Sequence, residues 1–275
     1  MGIGRVAAAT AIGIVGLGVL GACGWGMNER YTDSADIGER FTSVRFANDA
    51  GNVTIRAGES PSVQREVHYD NDKPGEDTFR VDDGVLELDP CPVRQCRIDY
   101  EVVVPAGTTV SGELDAGAID ISGVEEVNVR ASAGEVTVRD VAGAVNVEAS
   151  SGKVTLADIG GEVVAKVESG ELTADKVRGG AILKASSGNV EAHGIQGPAQ
   201  VESSSGNVVV ELTTADDVRV EADSGNVDVT VPQGAYQVRT SADSGDVDGD
   251  LTDDPAGAHR LDLRADSGNI TVTRT

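Results

Sequence analysis

The chain has 275 residues, with 46 acidic against 22 basic side chains and a formal net charge of −24. That balance excludes nucleic acid as a partner, because phosphate binding needs a basic patch, and it opposes attraction to anionic lipid headgroups. With 35 glycines and only 3% aromatics, the sequence also lacks the bulky side chains of an ordinary globular core, which a repeat protein tolerates because each unit packs only on its neighbours.

Residues 1–22 read as a targeting segment. Arg5 is the only charge, and residues 6–21 are an uncharged run rich in Ala, Gly, Ile, Val and Leu. The run is short for a membrane-spanning helix and fits the apolar region of a signal peptide. It ends in Leu20-Gly21-Ala22-Cys23, which resembles the lipobox of bacterial lipoproteins. That resemblance implies lipidation at Cys23, cleavage before it, and membrane attachment through an N-terminal lipid anchor. An uncleaved anchor or an ordinary secretion signal is the other reading. Either one exports the rest of the chain, so an extracytoplasmic location is expected. Residues 23–38 form a polar tether. Trp25 suits either the membrane interface or the tether itself.

Residues 39–109 read as an N-terminal β cap. Strands are expected over Phe41–Phe46, Asn52–Arg56, Val63–Tyr69, Phe79–Val81, Val85–Leu88 and Ile98–Val104, with Asp83-Gly84 as a hairpin turn. All three Phe and three of the four Tyr lie before residue 101, so this part has the larger core residues. Cys91 and Cys96 are an even pair once Cys23 is lipidated, and in an exported chain they read as a disulfide. A Cys-only metal site needs more ligands than this segment offers.

Residues 110–275 form a repeat. Ser-Gly or Ala-Gly recurs at Gly117, Gly134, Gly152, Gly170, Gly188, Gly206, Gly225, Gly245 and Gly268, mostly 18 residues apart. Before each glycine the apolar residues alternate with polar ones, as in Val127, Val129, Ala131 against Asn128 and Arg130. This is the period of a strand with one buried face. Val147, Leu183, Val201 and Val220 share the inward row, while Glu148, Lys184, Glu202 and Glu221 point out. A second glycine often follows nine residues later, at Gly143, Gly161, Gly179, Gly197 and Gly234. Two short strands and two turns per repeat make one rung of a β-solenoid. The interval from Gly245 to Gly268 carries an extra loop over Gly249–His259. Insertions in solenoids collect on one edge and sometimes carry binding, and a tolerated surface insertion is the leading reading.

No catalytic constellation appears. His68, His193 and His259 are far apart in sequence, and there is neither a nucleophile elbow nor a phosphate loop. Neither an enzyme nor a cofactor is expected. The last three rungs carry Asp223, Asp243 and Asp266 two residues before the glycine. If these stack they are calcium candidates. The other reading is that each caps its own turn and faces water, and no specific metal is expected.

The exported part resembles a bacterial family of β-solenoid domains of unknown function that carries an adhesin name. The matching segments are Ser187-Gly-Asn-Val190, Ser205-Gly-Asn-Val208, Ser224-Gly-Asn-Val227, Ser244-Gly-Asp-Val247 and Ser267-Gly-Asn-Ile270, with Val104-Pro-Ala-Gly107 leading in. The resemblance implies an all-β solenoid and a surface structural or interaction role, with an envelope protein or glycan as partner. An accessory or sensor lipoprotein of envelope stress is the alternative, and a glycan-acting enzyme is the third and least favoured reading.

Overall fold

The computed structural model describes residues 29–75, 77–249 and 252–275. Cys23, the targeting segment and Trp25 lie outside the described residues. The rest is an all-β solenoid whose described strands join one continuous sheet.

The central rungs show why the sequence folds this way. Strands β1 to β9 are Glu29–Asp36, Ser43–Ala50, Val53–Ala57, Ser62–Tyr69, Phe79–Asp82, Val85–Leu88, Cys96–Val104, Thr109–Ala116 and Ile119–Ser122. The three longest follow: β10 (Glu126–Val141), β11 (Val145–Ile159) and β12 (Val163–Val177). Then come β13 (Ala181–Ser187), β14 (Val190–Ile195), β15 (Ala199–Ser205), β16 (Val208–Leu212), β17 (Val218–Ser224) and β18 (Val227–Val231). The last are β19 (Tyr236–Ser244), β20 (Val247–Gly249), β21 (His259–Ser267) and β22 (Ile270–Arg274).

Along β10 the buried residues are Val127, Val129 and Ala131, then Val136, Val138 and Val141. The next rung places Val145, Val147, Ala149, Val154 and Leu156 directly beside them in parallel register. Val201 and Val220 are fully buried in this row and Glu148 and Lys184 are exposed, as the alternation predicts; Glu202 and Glu221 are half-buried on the outer face. In β10 to β12 the two expected strands run on as one, because the glycine bends the strand without breaking its ladder.

The 18-residue period is enforced at that corner. Gly170 has a φ of +140°, and a Cβ there would lie 1.7 Å from the carbonyl oxygen of Gly152. Gly188 stands in the same relation to Gly170. Each corner backbone rests on the corner below, so only glycine fits. In the later rungs the residue after the glycine completes the corner. The Asn207 N–H donates to Asn189 Oδ1, Asn226 N–H to Asn207 Oδ1, and Asn269 N–H to Asn226 Oδ1, all at 3.0 Å. This ladder satisfies corner N–H groups that would otherwise lack a partner, and it explains the Ser-Gly-Asn signature. At the opposite corner Asp140, Asp158 and Lys176 adopt positive φ.

At both ends the order of rungs in space departs from the order in sequence. β2 and β3 form a full rung between β8/β9 on one side and β6/β7 on the other. Stacking therefore starts at Ser43, inside the span expected to be a separate cap. Ala50-Gly51-Asn52-Val53 carries the repeat's own corner signature, and Gly117 rests on the carbonyl of Gly51. At the other end β21/β22 lies between β17/β18 and β19/β20, so the last rung in sequence is the penultimate one in space.

The expected tether over 23–38 also needs correction. Residues 29–36 are strand β1, paired antiparallel with β4, which pairs antiparallel with β7. An ion pair joins the two strands. Arg65 on β4 is 1% exposed, and its Nε and Nη2 bond Asp33 on β1 at 2.6 and 2.7 Å. Its other nitrogen donates to Thr78 Oγ1, and the guanidinium lies over the Tyr31 and Phe79 rings at 5.8 and 5.6 Å. Asp83 and Gly84 form the expected hairpin turn between β5 and β6, both with positive φ.

Candidate functional site

The strand starts of β13, β15, β17 and β21, with the turn before β12, form one corner of the stack. Their register aligns Val163, Ala181, Ala199, Val218 and Leu261 in one row. Along it runs a groove of about 320 Å³. Gly180, Ala181, Pro198 and Ala199 form a low floor, because these rungs carry small residues where their neighbours carry longer ones. The rims carry both charges: Glu162, Asp217 and Asp262 against Arg219 and Arg260. Ile182 lines the groove, and beside it in register stands Val164, 38% exposed. The groove thus offers apolar contact flanked by donors and acceptors, which suits an extended chain lying across the rungs.

The outer face next to it is laced with ion pairs between rungs. Lys184 bonds Glu202 at 2.8 Å, and Arg130 reaches Glu148 at 3.0 Å and Glu113 at 3.3 Å. The hydrogen bond from Lys184 lowers the Glu202 carboxyl below its ordinary range, and the bond to Glu148 raises the Arg130 guanidinium. These are neutralised structural charges.

Cys91 and Cys96 are joined by a disulfide, with Cα atoms 5.9 Å apart. It closes the loop that enters β7, against the end of β2 at Asp49 and Ala50. Register aligns Asp223, Asp266 and Asp243 on adjacent strands, with Asp266 in the middle because the last rungs exchange places. All three are exposed.

The histidines are drawn to carboxylates that sequence distance hides. His68 Nε2 lies 3.2 Å from Glu66 and 3.5 Å from Asp99, and His193 Nδ1 lies 3.3 Å from Glu211. Among the described residues one group of three potential ligands converges: Asp216, Asp217 and His259, with one atom of each within 4.8 Å of the others. Asp216 and Asp217 were not singled out from the sequence. The available signal was the extra loop that ends at His259; the exchange of rungs that carries it to Asp217 is not written in the repeat spacing. Tyr236 stacks beside His259 with ring centroids 5.9 Å apart, and burial pushes its phenol up.

A family model described as Toastrack DUF4097 matches residues 41–273. Among solved structures, the chain is similar to a "putative adhesin" of Parabacteroides merdae ATCC 43184 at 13% identity and a TM-score of 0.45, covering 91% of this chain and 98% of that one. It is also similar to a "putative adhesin" of Bacteroides fragilis NCTC 9343, at 12% identity and a TM-score of 0.34, covering 90% and 98%. A third, a "putative cell adhesion protein" of Clostridium sporogenes ATCC 15579, aligns at 10% identity and a TM-score of 0.24, covering 90% and 100%. No curated protein matches the chain.

Proposed function

Because the chain belongs to the Toastrack DUF4097 family, we propose that it is a lipid-anchored, extracytoplasmic interaction scaffold without catalytic activity. Cys23 carries the lipid, and the solenoid presents its groove to an envelope protein or glycan. The observation that carries this reading is the groove over Ala181, Ala199 and Val218, which is lined by acidic Glu162 and Asp262 and by basic Arg219 and Arg260. Arg219, Arg260 and Asp262 stand on the parallel strands β17 and β21, so they are pre-organised for a ligand at little entropic cost.

The test is direct binding of the full chain to purified cell-wall glycan and envelope protein fractions. Arg219→Glu and Arg260→Glu together are expected to abolish binding while the melting temperature holds. Equal binding by this variant and the parent rules the groove out. Anchoring is checked separately: Cys23→Ala is expected to leave unprocessed precursor or released protein, and unchanged mass and membrane partition overturn the lipid assignment.

A further inference from the structure

Asp216 and Asp217 precede β17, and His259 opens β21, some forty residues later in the chain. They meet because β21 is inserted between β17 and β19. Val218 pairs with Leu261, and Tyr236 pairs with His259 on the other side. One ligand atom of each of Asp216, Asp217 and His259 lies within 4.8 Å of the other two. This is a mixed nitrogen and oxygen set, unlike the aligned aspartates at the opposite corner.

Its carboxylates are held in place. Asp216 Oδ1 accepts the Asp217 N–H at 2.7 Å, and Asp217 Oδ1 accepts the Arg260 N–H at 2.8 Å. Each keeps a second oxygen for another partner. Among the described residues neither carboxylate is in an ion pair, although Arg219 bonds Glu221 and Asp262 close by. Two adjacent carboxylates therefore converge on an imidazole without an ion pair of their own. The His259 ring is braced by Tyr236, whose hydroxyl donates to the Pro232 carbonyl at 3.1 Å. Fixed first ligands with a packed ring behind them are the arrangement that a metal site needs.

We propose that Asp216, Asp217 and His259 bind one divalent transition cation of the zinc class, with water in the remaining position, and that this ion clips the inserted loop and β21 to β17. An imidazole with two carboxylates suits zinc, whereas calcium and magnesium favour all-oxygen sets. Zinc bonds of about 2.0–2.2 Å place tetrahedral ligands roughly 3.4 Å apart. The candidate ligand atoms lie within 4.8 Å of one another, so binding draws them closer together. Asp217 also lines the groove described above, but zinc binding requires no ligand in that groove.

The purified full chain is titrated with zinc, with calcium and magnesium in parallel. One equivalent of zinc is expected to bind saturably and to slow proteolysis of the inserted loop at Asp253-Asp254; calcium and magnesium at equal concentration do neither. His259→Gln and Asp217→Asn are each expected to weaken zinc by at least roughly tenfold. His193→Ala and His68→Ala, which remove the other imidazoles, are expected to leave it unchanged. Melting without zinc confirms that each variant is folded, and Asp216→Asn stands in for any that is not. The proposal is overturned if no saturable equivalent binds, if binding survives His259→Gln, or if it is lost only in the His193 or His68 variants.

Discussion

At the N-terminal end, the outer rung of β6 and β7 is covered by the antiparallel strands β5, β4 and β1. The aromatics Phe41, Phe46, Tyr69 and Tyr100 pack beneath, with buried Arg65 paired to half-buried Asp33 and the disulfide closing the periphery. At the C-terminal end, the outer rung of β19 and β20 has no strand beyond it among the described residues. Val247 there is 45% exposed, where the equivalent Val190, Val208, Val227 and Ile270 are fully buried. Thr240 stands exposed in a row that is Val220 and Leu263 in the neighbouring rungs. Part of this edge is blunted by the inserted loop: Val238 N–H donates to Asp253 Oδ1 at 2.9 Å, and Asp254 N–H to the Tyr236 carbonyl at 2.9 Å. One end is therefore closed by added mass, and the other by polar substitution and a short loop. Both answer the same hazard, that a bare sheet edge recruits further strands. Rungs between the ends need neither device, since each is covered by its neighbours.

The comparison breaks most visibly at the corner glycines. Gly170→Ala drives a Cβ into the backbone of a rung locked on both sides, and a loss of at least about 4 kcal/mol is expected in chemical unfolding. Gly245→Ala meets the Gly268 carbonyl at 2.1 Å, but its rung is free to shift outward, so about 1–2 kcal/mol is expected. Equal losses would show that the outer rung is as constrained as the middle. Next comes Asp33→Ala, which leaves the Arg65 charge buried and unpaired. About 3 kcal/mol is expected, whereas Ser241→Ala at the open end is expected to stay within about 0.5 kcal/mol.

Cys91→Ser is expected to cost about 2 kcal/mol, as for a short loop, with no change in zinc binding at the other end. Smaller still is the ladder between rungs. Lys184 and Glu202 are partly exposed, so Glu202→Gln is expected to cost less than about 1 kcal/mol. The sign in pH follows from the lowered Glu202 carboxyl. Its contribution is complete above the ordinary glutamate value and is lost as pH falls through the lower folded value. Acid titration of the parent and the Gln variant checks this, since their stabilities converge at low pH. The smallest effect concerns Asp223, Asp266 and Asp243: calcium is expected to raise the melting temperature no more than sodium chloride at equal ionic strength, because screening alone relieves exposed charges. A calcium-specific rise removed by Asp266→Asn, the middle of the three, would convert this row into a site.

The repeat was legible because its two constraints are local. Alternation of Val and Ala with polar residues fixes which face is buried, and the corner glycine fixes the period, since any Cβ there meets the backbone one rung below. The disulfide between Cys91 and Cys96 was legible for another reason: with Cys23 assigned to lipid, these two are the only thiols left in a chain read as exported. The order of the rungs was not. A parallel rung pairs as well with one neighbour as with another when all share the same inward Val, Ala and glycine corner, so the sequence does not say whether β19/β20 or β21/β22 is outermost. Nor did the residues before Phe41 announce a strand: β1 is held by Asp33 meeting Arg65 across 32 positions. The placing of Asp216, Asp217 and His259 follows from that same exchange of rungs. Sequence by itself determined the rung, because a rung is specified by contacts within about 18 residues; tertiary structure alone decided the two ends, because there the stabilising contacts join segments that the period does not relate.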